Sequence, residues 1–271
     1  MILRPAYQLI GTPKLIITDG AGTLFDPGSL VPVFGFQDGF REYSPKDNPQ
    51  KFGFAPAFDL VMKYMGRGKL EHVELLFSEA AVRDEFLLKY GREPSEEDVS
   101  GVYESFKEQL YPAAARTKEI PGVKEAAYRL KEARIPLVMT TGYDRKMVDE
   151  TRKKLPWLDD VLLGSFTASD VKKARPAPYM IYRSMEAASV QNPAYAINVG
   201  DTLVDTQSAD NARMPGIVVL SGSITTIDDA VDMDEDLGRR HIIVPSLVDI
   251  VNFVLDGTIA DRIRNLNNRC W

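Results

Sequence analysis

Short apolar runs that end in small or acidic residues recur along this chain, and they limit its fold more than any other feature. Five such runs lie at 14–19, 135–141, 195–201, 216–222 and 241–245. Several are apolar throughout rather than alternating with polar residues, which is typical of strands buried on both faces of a parallel sheet. Helical patterns separate them, at 122–134, 176–190 and 246–255. This alternation predicts an α/β fold with a doubly wound parallel sheet.

The alternation is interrupted between about residues 30 and 116. Residues 31–58 are rich in Phe, Gly and Pro, and we expect a loop with short elements there. Helical patterns follow near 57–66, 70–90 and 96–110. The sequence therefore predicts a core formed by residues 1–30 and 117–271 and an all-helical insertion over residues 31–116.

Size and charge narrow the class of protein. The chain has 271 residues, of which 44% are hydrophobic and 27% charged, and its net charge of −6 comes without a basic stripe. We therefore expect no nucleic-acid partner. The single cysteine, Cys270, fits a reducing compartment. We find neither a signal peptide nor 18 consecutive apolar residues, so a cytoplasmic protein without a membrane span is expected.

The first apolar run ends in an acid and a glycine-rich turn. Residues 18–26 are T-D-G-A-G-T-L-F-D, which places Asp19 at the tip of the predicted strand. Gly20 and Gly22 in the turn allow backbone N–H groups to point toward an anion. The segment therefore predicts a phosphate cradle beside Asp19.

Polar residues also follow the second strand and precede a helix. Thr140, Thr141 and Gly142 end the second run and supply hydroxyl groups and a flexible turn. Arg175 stands directly before a helix that begins with proline, where its guanidinium could bind a phosphate. Ligands of open parallel sheets bind at the carboxyl ends of the strands, so these groups are expected at one site.

Carboxylates at another strand end complete the pattern. Asp201 follows the run 195–201, and Asp205 lies four residues later. Together with Asp19 they form a hard-oxygen site of the kind that Mg²⁺ prefers. A single Asp after a strand is more often a turn or N-cap residue. The combination of polar groups at several strand ends in this order favours a site.

The motifs DGAGTL, VMTTG, RPAP and VGDTLVD, in this order, resemble those of the haloacid dehalogenase-like superfamily. The resemblance implies a Rossmann-like core with a C1-type helical cap. It implies Asp19 as a nucleophile toward phosphorus, with Gly22, Thr140, Thr141, Gly142 and Arg175 around the phosphate. It further implies Mg²⁺ ligation by Asp19, Asp201 and the carbonyl of Ala21, with Asp205 holding metal-bound water.

Ala21 departs from the ordinary phosphatases of that superfamily. They have an Asp two residues after the nucleophile, which protonates the departing alcohol and later activates water. Alanine can do neither. The site is therefore either an impaired phosphatase or one whose leaving group does not need that acid.

The segment M-G-R-G-K-L-E-H at residues 65–72, taken with D-G-A-G-T, is similar to the phosphonoacetaldehyde hydrolases of the same superfamily. The resemblance implies that Lys69 forms a Schiff base and that His72 or Tyr143 assists proton transfers. It places Met65 beside the site. If the chain is helical from Gly68 onward, Met65, Lys69 and His72 share one helix face.

The chemistry of phosphonoacetaldehyde would account for both Lys69 and Ala21. Cleavage of its C–P bond releases a carbanion, which an acid placed beside an oxygen does not help. An iminium formed by Lys69 with the aldehyde accepts those electrons, so the carbon leaves as an enamine. We expect the pKa of such a lysine to be lowered by burial or nearby positive charge.

Some features leave alternatives open. Gly20, Leu24 and Ser29 differ from the residues usual in phosphonoacetaldehyde hydrolases, and the segment 36–56 is longer. One alternative is a Mg²⁺-dependent phosphatase for a small phosphate ester, with Lys69 contacting the phosphate. Another is a non-catalytic binding protein on a retired core. The resemblance also implies a homodimer formed through the cap.

Overall fold

A parallel sheet forms the centre of the computed structural model, which describes residues 7–26, 30–114, 117–229, 234 and 237–267. Six strands pair in the order β3-β2-β1-β4-β5-β6, and all the pairings are parallel. The strands are β1 (Leu15–Asp19), β2 (Leu137–Thr141), β3 (Leu162–Thr167), β4 (Ala196–Gly200), β5 (Gly216–Val219) and β6 (Ile242–Val244). The predicted doubly wound, Rossmann-like α/β class is confirmed.

The central strands are buried on both faces, as their apolar sequences predict. Every residue of β1, β2, β4 and β5 is buried. Leu15 and Ile17 of β1 pack into one hydrophobic cluster, and Ile16 packs into another. Side chains of a strand alternate between faces, so these clusters lie on opposite sides of the sheet. Helices cover both.

Strand β3 was not predicted. It lies at the edge of the sheet, and its sequence LLGSFT is only partly buried, with Leu163 53% exposed. An edge strand has less of its surface covered, so it does not need the continuous apolar run that identified the others.

Helices fill most of the rest of the described chain. Between β1 and β2 lie α1 (Leu30–Glu42), α2 (Phe58–Met62), α3 (Lys69–Ser78), α4 (Ala80–Tyr90), α5 (Glu96–Ala114) and α6 (Val123–Glu132). After β2 come α7 (Arg145–Lys154), α8 (Trp157–Val161), α9 (Tyr179–Ala187), α10 (Leu203–Ala212), α11 (Leu237–Arg240), α12 (Leu247–Leu255) and α13 (Ile259–Asn267).

The expectation of loop over residues 31–58 was wrong for its first part. Helix α1 covers residues 31–42 of this segment, and two of its glycines face α5. A Cβ on Gly39 would lie 2.8 Å from the Cα of Phe106, so the glycine permits the two helices to touch. The composition suggested a loop because Gly has a low helix propensity. In α1, however, glycine allows the helix to pack closely on α5.

Other helix boundaries differ from the predicted ones. The single helix expected over 70–90 is two helices, because the backbone of Glu79 is extended with φ −74° and ψ 130°. The carboxylate of Glu79 accepts hydrogen bonds from Lys63 and Tyr64 across the turn. Helix α5 continues past residue 110 to Ala114 with Pro112 inside it, and α9 begins at Tyr179, after Pro178.

Some predictions fall on residues outside the described ranges. They are Ser29, the tail residues 268–271 with Cys270, and the chain between residues 114 and 117, where the insertion was predicted to end. Among the described helices, none combines the length and the apolar character needed to cross a bilayer.

Candidate active site

The carboxyl ends of β1, β2 and β4 bring the predicted groups together. Strand β1 lies between β2 and β4, and Asp19 is in register with Thr140. A cavity of about 20 Å³ opens at this edge. Its lining includes nine of the predicted residues: Asp19, Ala21, Met65, Lys69, Thr141, Gly142, Tyr143, Arg175 and Asp201.

Three buried carboxylates form a candidate metal centre. Oxygen atoms of Asp19, Asp201 and Asp205 lie within 4.8 Å of one another, and all three residues are buried. The Oδ2 atom of Asp201 accepts a hydrogen bond of 2.6 Å from the backbone N–H of Ser223. The Thr23 hydroxyl donates to Oδ1 of Asp201 over 3.4 Å. This set of hard oxygens suits a divalent cation such as Mg²⁺.

Arg175 lies among these carboxylates. Its Nη1 is 3.0 Å from Oδ1 of Asp19 and also contacts Oδ1 of Asp205. Burial works against the charge of Arg175, but Asp19 and Asp205 outweigh it, and the pKa of the guanidinium is raised. A buried, charged guanidinium next to the nucleophile candidate is suited to bind a phosphoryl or phosphonyl group.

The carboxyl groups that face Arg175 hold their protons more tightly than carboxyls in water. Desolvation raises the pKa of Asp19 to about 6, although Arg175 lowers it, and Asp201 adds to the rise. Desolvation likewise raises the pKa of Asp205 to about 6, with Asp19 contributing. These carboxylates repel each other, so a cation placed between them would favour their ionised forms.

Lys69 is buried at the start of helix α3. Its side chain is only 5% exposed, and Nζ lies 5.6 Å from the ring centroid of Phe36 and 5.5 Å from that of Tyr143. Desolvation lowers the pKa of Lys69 to about 8, and Arg175 lowers it further, while Asp19, Asp201 and Asp26 oppose the change. With this pKa, about a tenth of the amine is unprotonated at pH 7, far more than for an ordinary lysine.

The loop before Lys69 brings the helical segment onto the core. Helix α3 begins at Lys69 itself, so the predicted helix face that included Met65 does not exist, although Met65 still lines the cavity. Gly66 has φ +84°, and a Cβ there would lie 2.3 Å from Cγ2 of Val204. Likewise, a Cβ on Gly142 would lie 2.4 Å from the carbonyl oxygen of Arg67.

His72 is buried but is not among the residues that line the cavity. Its ring centroid lies 4.0 Å from that of Phe36 and 5.9 Å from that of Tyr64. Neither ring nitrogen forms a hydrogen bond of normal geometry within the described residues. Desolvation and Lys69 lower the pKa of His72 well below its usual value, although the backbone of Val61 opposes this. The imidazole is therefore neutral.

The other predicted site residues have supporting positions. The backbone N–H of Tyr143 donates to Oγ1 of Thr141 over 3.1 Å, which fixes the turn after β2. Burial raises the pKa of Tyr143 well above its usual value, so its hydroxyl keeps its proton. Thr140 is buried in β2, outside the cavity lining. Gly22, with φ +83°, lies in the turn after β1, and its carbonyl accepts a hydrogen bond from the hydroxyl of Ser221, which follows β5.

Sequence reasoning missed several residues of the site. Thr202 and Ser223 line the cavity, and the hydroxyl of Thr202 donates to Asp205 over 2.5 Å. Ser223 follows β5, so its place after a strand end was a usable signal. Phe36 carried no such signal, because it lies in α1, where a loop was expected.

Comparison with known proteins decides the family. Residues 55–219 match the family of haloacid dehalogenase-like hydrolases. The chain belongs to this family. It is 31% identical over 209 residues to a phosphonoacetaldehyde hydrolase of Parabacteroides distasonis, covering 77% of this chain and 76% of the relative. It is 32% identical over 214 residues to a phosphonoacetaldehyde hydrolase of Bacillus cereus, covering 78% of this chain and 76% of that relative.

A solved structure supports the fold. The crystal structure of a phosphonoacetaldehyde hydrolase-like protein from Oleispira antarctica superposes with a TM-score of 0.79. The match covers 99% of this chain and 98% of that one, at 23% sequence identity. This match bears on the fold, whereas the family match and the curated relatives confirm the predicted resemblance to the haloacid dehalogenase-like superfamily.

Proposed function

We propose that the protein hydrolyses the C–P bond of phosphonoacetaldehyde to acetaldehyde and phosphate, with Lys69 as the Schiff-base residue and Asp19 as the nucleophile. The observation that carries the proposal is the buried Lys69, whose pKa is lowered to about 8, in the same cavity as Asp19 and Ala21. The curated relatives named phosphonoacetaldehyde hydrolase support the same substrate.

Lys69 would supply what Ala21 cannot. Its neutral amine condenses with the aldehyde, water is released and an iminium forms. Asp19 then attacks phosphorus, the C–P bond breaks and its electron pair moves into the iminium to give an enamine. Water hydrolyses the aspartyl phosphate to phosphate, and the enamine takes up a proton and hydrolyses to acetaldehyde, which frees Lys69.

The charges of the site fit the approach of an anionic nucleophile to an anionic phosphonate. Arg175 and Thr141 line the cavity, and we propose that they bind the phosphonate oxygens together with N–H groups of the turn after β1. Asp19, Asp201 and the Ala21 carbonyl would hold Mg²⁺ directly, with Asp205 holding water on the ion. When bound, Mg²⁺ neutralises charge on the phosphonate.

Proton transfers fall more naturally to Tyr143 than to His72. The hydroxyl of Tyr143 keeps its proton, and its ring lies beside Nζ of Lys69. The neutral His72 packs on Phe36, whose ring also faces Lys69, and we propose that it supports this wall of the cavity. The contribution of Tyr143 would be seen as a lower kcat in Tyr143→Phe.

Acetaldehyde release tests this function. Wild type with phosphonoacetaldehyde and Mg²⁺ should produce acetaldehyde and phosphate in equal amounts, detected by reduction of the aldehyde and by a phosphate assay. Lys69→Ala should lose several orders of magnitude in kcat/KM, and Asp19→Ala should be inactive. Hydrolysis of phosphate esters alone, unchanged in Lys69→Ala, would instead indicate the phosphatase alternative.

We also propose that the protein forms a homodimer through its helical insertion. Exposed apolar side chains on α4 support this, with Leu88 81% and Leu87 40% exposed. Sedimentation velocity would check it, since wild type should sediment as a dimer and Leu88→Asp as a monomer. Monomeric wild type would contradict it.

A further inference from the structure

Asp26 is a buried carboxyl group to which the reaction described above gives no role. Its side chain is 6% exposed, and its Oδ2 atom has no hydrogen-bond partner among the described residues. The backbone N–H of Val31 donates to the carboxylate and anchors it. An unpaired buried carboxyl oxygen costs folding free energy, so its presence calls for a functional reason.

The backbone fixes Asp26 where the chain leaves the core for the helical insertion and where it returns. Its φ is +55°, and its N–H donates to the carbonyl of Lys118 over 2.8 Å. The preceding residue, Phe25, pairs with Glu119 in an isolated bridge. Asp26 is therefore held at the junction of the outgoing and returning segments.

The ring of Tyr143 lies between this junction and the lysine. The ring of Phe25 is 6.4 Å from the ring of Tyr143, and the Tyr143 ring is 5.5 Å from Nζ of Lys69. Of the charged groups that act on Asp26, Lys69 is the one with a resolved effect. Asp26 also has the largest effect of any charge on Tyr143.

The other charged groups around Lys69 have different roles in the site. Asp19 and Asp201 face it, but both belong to the candidate metal centre, and Asp19 is also the nucleophile. Arg175 is a cation and destabilises a second positive charge. Of the three carboxylates that raise the pKa of Lys69, two would therefore bind the metal ion, and Asp26 would remain as the negative charge available to the lysine.

We propose that Asp26 is a positioning residue for Lys69, acting as the counter-ion that balances its ammonium and later its iminium charge. This inference rests on the proposed function, since it assumes that Lys69 forms an iminium. Asp26 acts through Lys69 and does not itself touch the reacting atoms.

The test follows iminium formation without phosphonate cleavage. Acetaldehyde is the probe, borohydride reduces the iminium, and peptide mass spectrometry measures the ethyl adduct on Lys69 across neutral and alkaline pH at fixed Mg²⁺. Asp26→Asn keeps the shape, the acceptor for Val31 and a side chain that tolerates a positive φ. Loss of the negative charge should lower the pH midpoint of trapping by about one unit. Below the midpoint, the variant should trap about tenfold faster than wild type.

Matched variants make the result specific. Glu71→Gln removes a carboxylate two residues from Lys69 that is paired with Arg67 and has no resolved effect on Lys69, so its midpoint should equal that of wild type. Should Asp26→Asn not fold, Asp26→Ser removes the charge with a smaller acceptor. An unchanged midpoint in either folded variant would overturn the inference. Absence of any trapping at Lys69 in wild type would instead overturn the proposed function.

Discussion

Burial of Lys69 costs the folded protein free energy, and this cost can be measured. The pKa of Lys69 falls from 10.5 to about 8, which corresponds to about 3 kcal/mol at 1.36 kcal/mol per unit. Asp19 and Asp201 gain from the neighbouring cation, so the net effect of removing it is smaller. A destabilising residue of this kind is typical of active sites.

We predict that Lys69→Met stabilises the metal-free protein by about 1 to 3 kcal/mol. The folded state holds the Lys69 proton less tightly than the unfolded chain, so wild-type stability from this residue should rise with pH between about 8 and 10.5. The rise should be missing in Lys69→Met. Urea denaturation with chelator at both ends of this window measures it, with the exposed Lys131→Met as control. Lower stability in Lys69→Met would contradict the assigned burial.

For single residues, the sequence predicted which strand-end residues belong to the site better than it predicted where the helical residues lie. Asp19, Thr141 and Asp201 follow from strand ends that meet at one edge of a parallel sheet, so their convergence was predictable. The placement of His72 was not, because it depends on the packing of Phe36 in a helix that composition had hidden. Asp26 gave no signal in the sequence, since its burial follows from the junction of two distant segments.

Among the secondary-structure elements, α1 and α5 pack so closely that their contact tolerates little change in side-chain size. Phe36 stacks on Phe106 with ring centroids 4.1 Å apart, and Gly39 lies against the Phe106 backbone. The Phe36 ring also lies 5.6 Å from Nζ of Lys69, so this helix pair packs close to a lysine that lines the cavity. The packing of α1 against α5 therefore affects the surroundings of the Lys69 amine.

We predict that Gly39→Ala destabilises the protein by about 1 to 3 kcal/mol, because the new methyl group forces α1 and α5 apart. Thermal unfolding measures the change. Gly164→Ala in the edge strand β3 is the matched control, since a Cβ there has no atom within 4 Å and should have little effect. Equal stability of the two variants would show that α1 does not pack as described.

The elements also show where sequence patterns succeed and fail. Strands buried on both faces were predicted, because burial on both faces requires continuous apolar runs. Strand β3 and helix α1 were missed, one because an edge strand is only half covered and the other because glycine can serve packing as well as turns. The break at Glu79 depends on tertiary hydrogen bonds to Lys63 and Tyr64, which local sequence does not encode.

For the molecule as a whole, we expect cation binding at the acidic centre to be linked to folding. We predict that Mg²⁺ at 100 times its Kd raises the stability of wild type by about 2.7 kcal/mol, because an ion that binds the three buried carboxylates of the folded protein and not the unfolded chain shifts the equilibrium by mass action. Asp201→Asn should abolish most of this gain. Calorimetry with Mg²⁺ or chelator measures it, with the surface variant Asp159→Asn as control. A gain that persists in Asp201→Asn would place the cation elsewhere.

The most direct test of the account is borohydride trapping with phosphonoacetaldehyde itself, in the Asp19→Ala variant with Mg²⁺. That variant cannot form the aspartyl phosphate, so the iminium should accumulate before C–P cleavage. We predict a reduced adduct that retains phosphorus, located by peptide mass spectrometry on Lys69 and lost in Asp19→Ala/Lys69→Arg. An unmodified Lys69, in a wild-type protein that still cleaves the substrate, would contradict the assignment of this lysine.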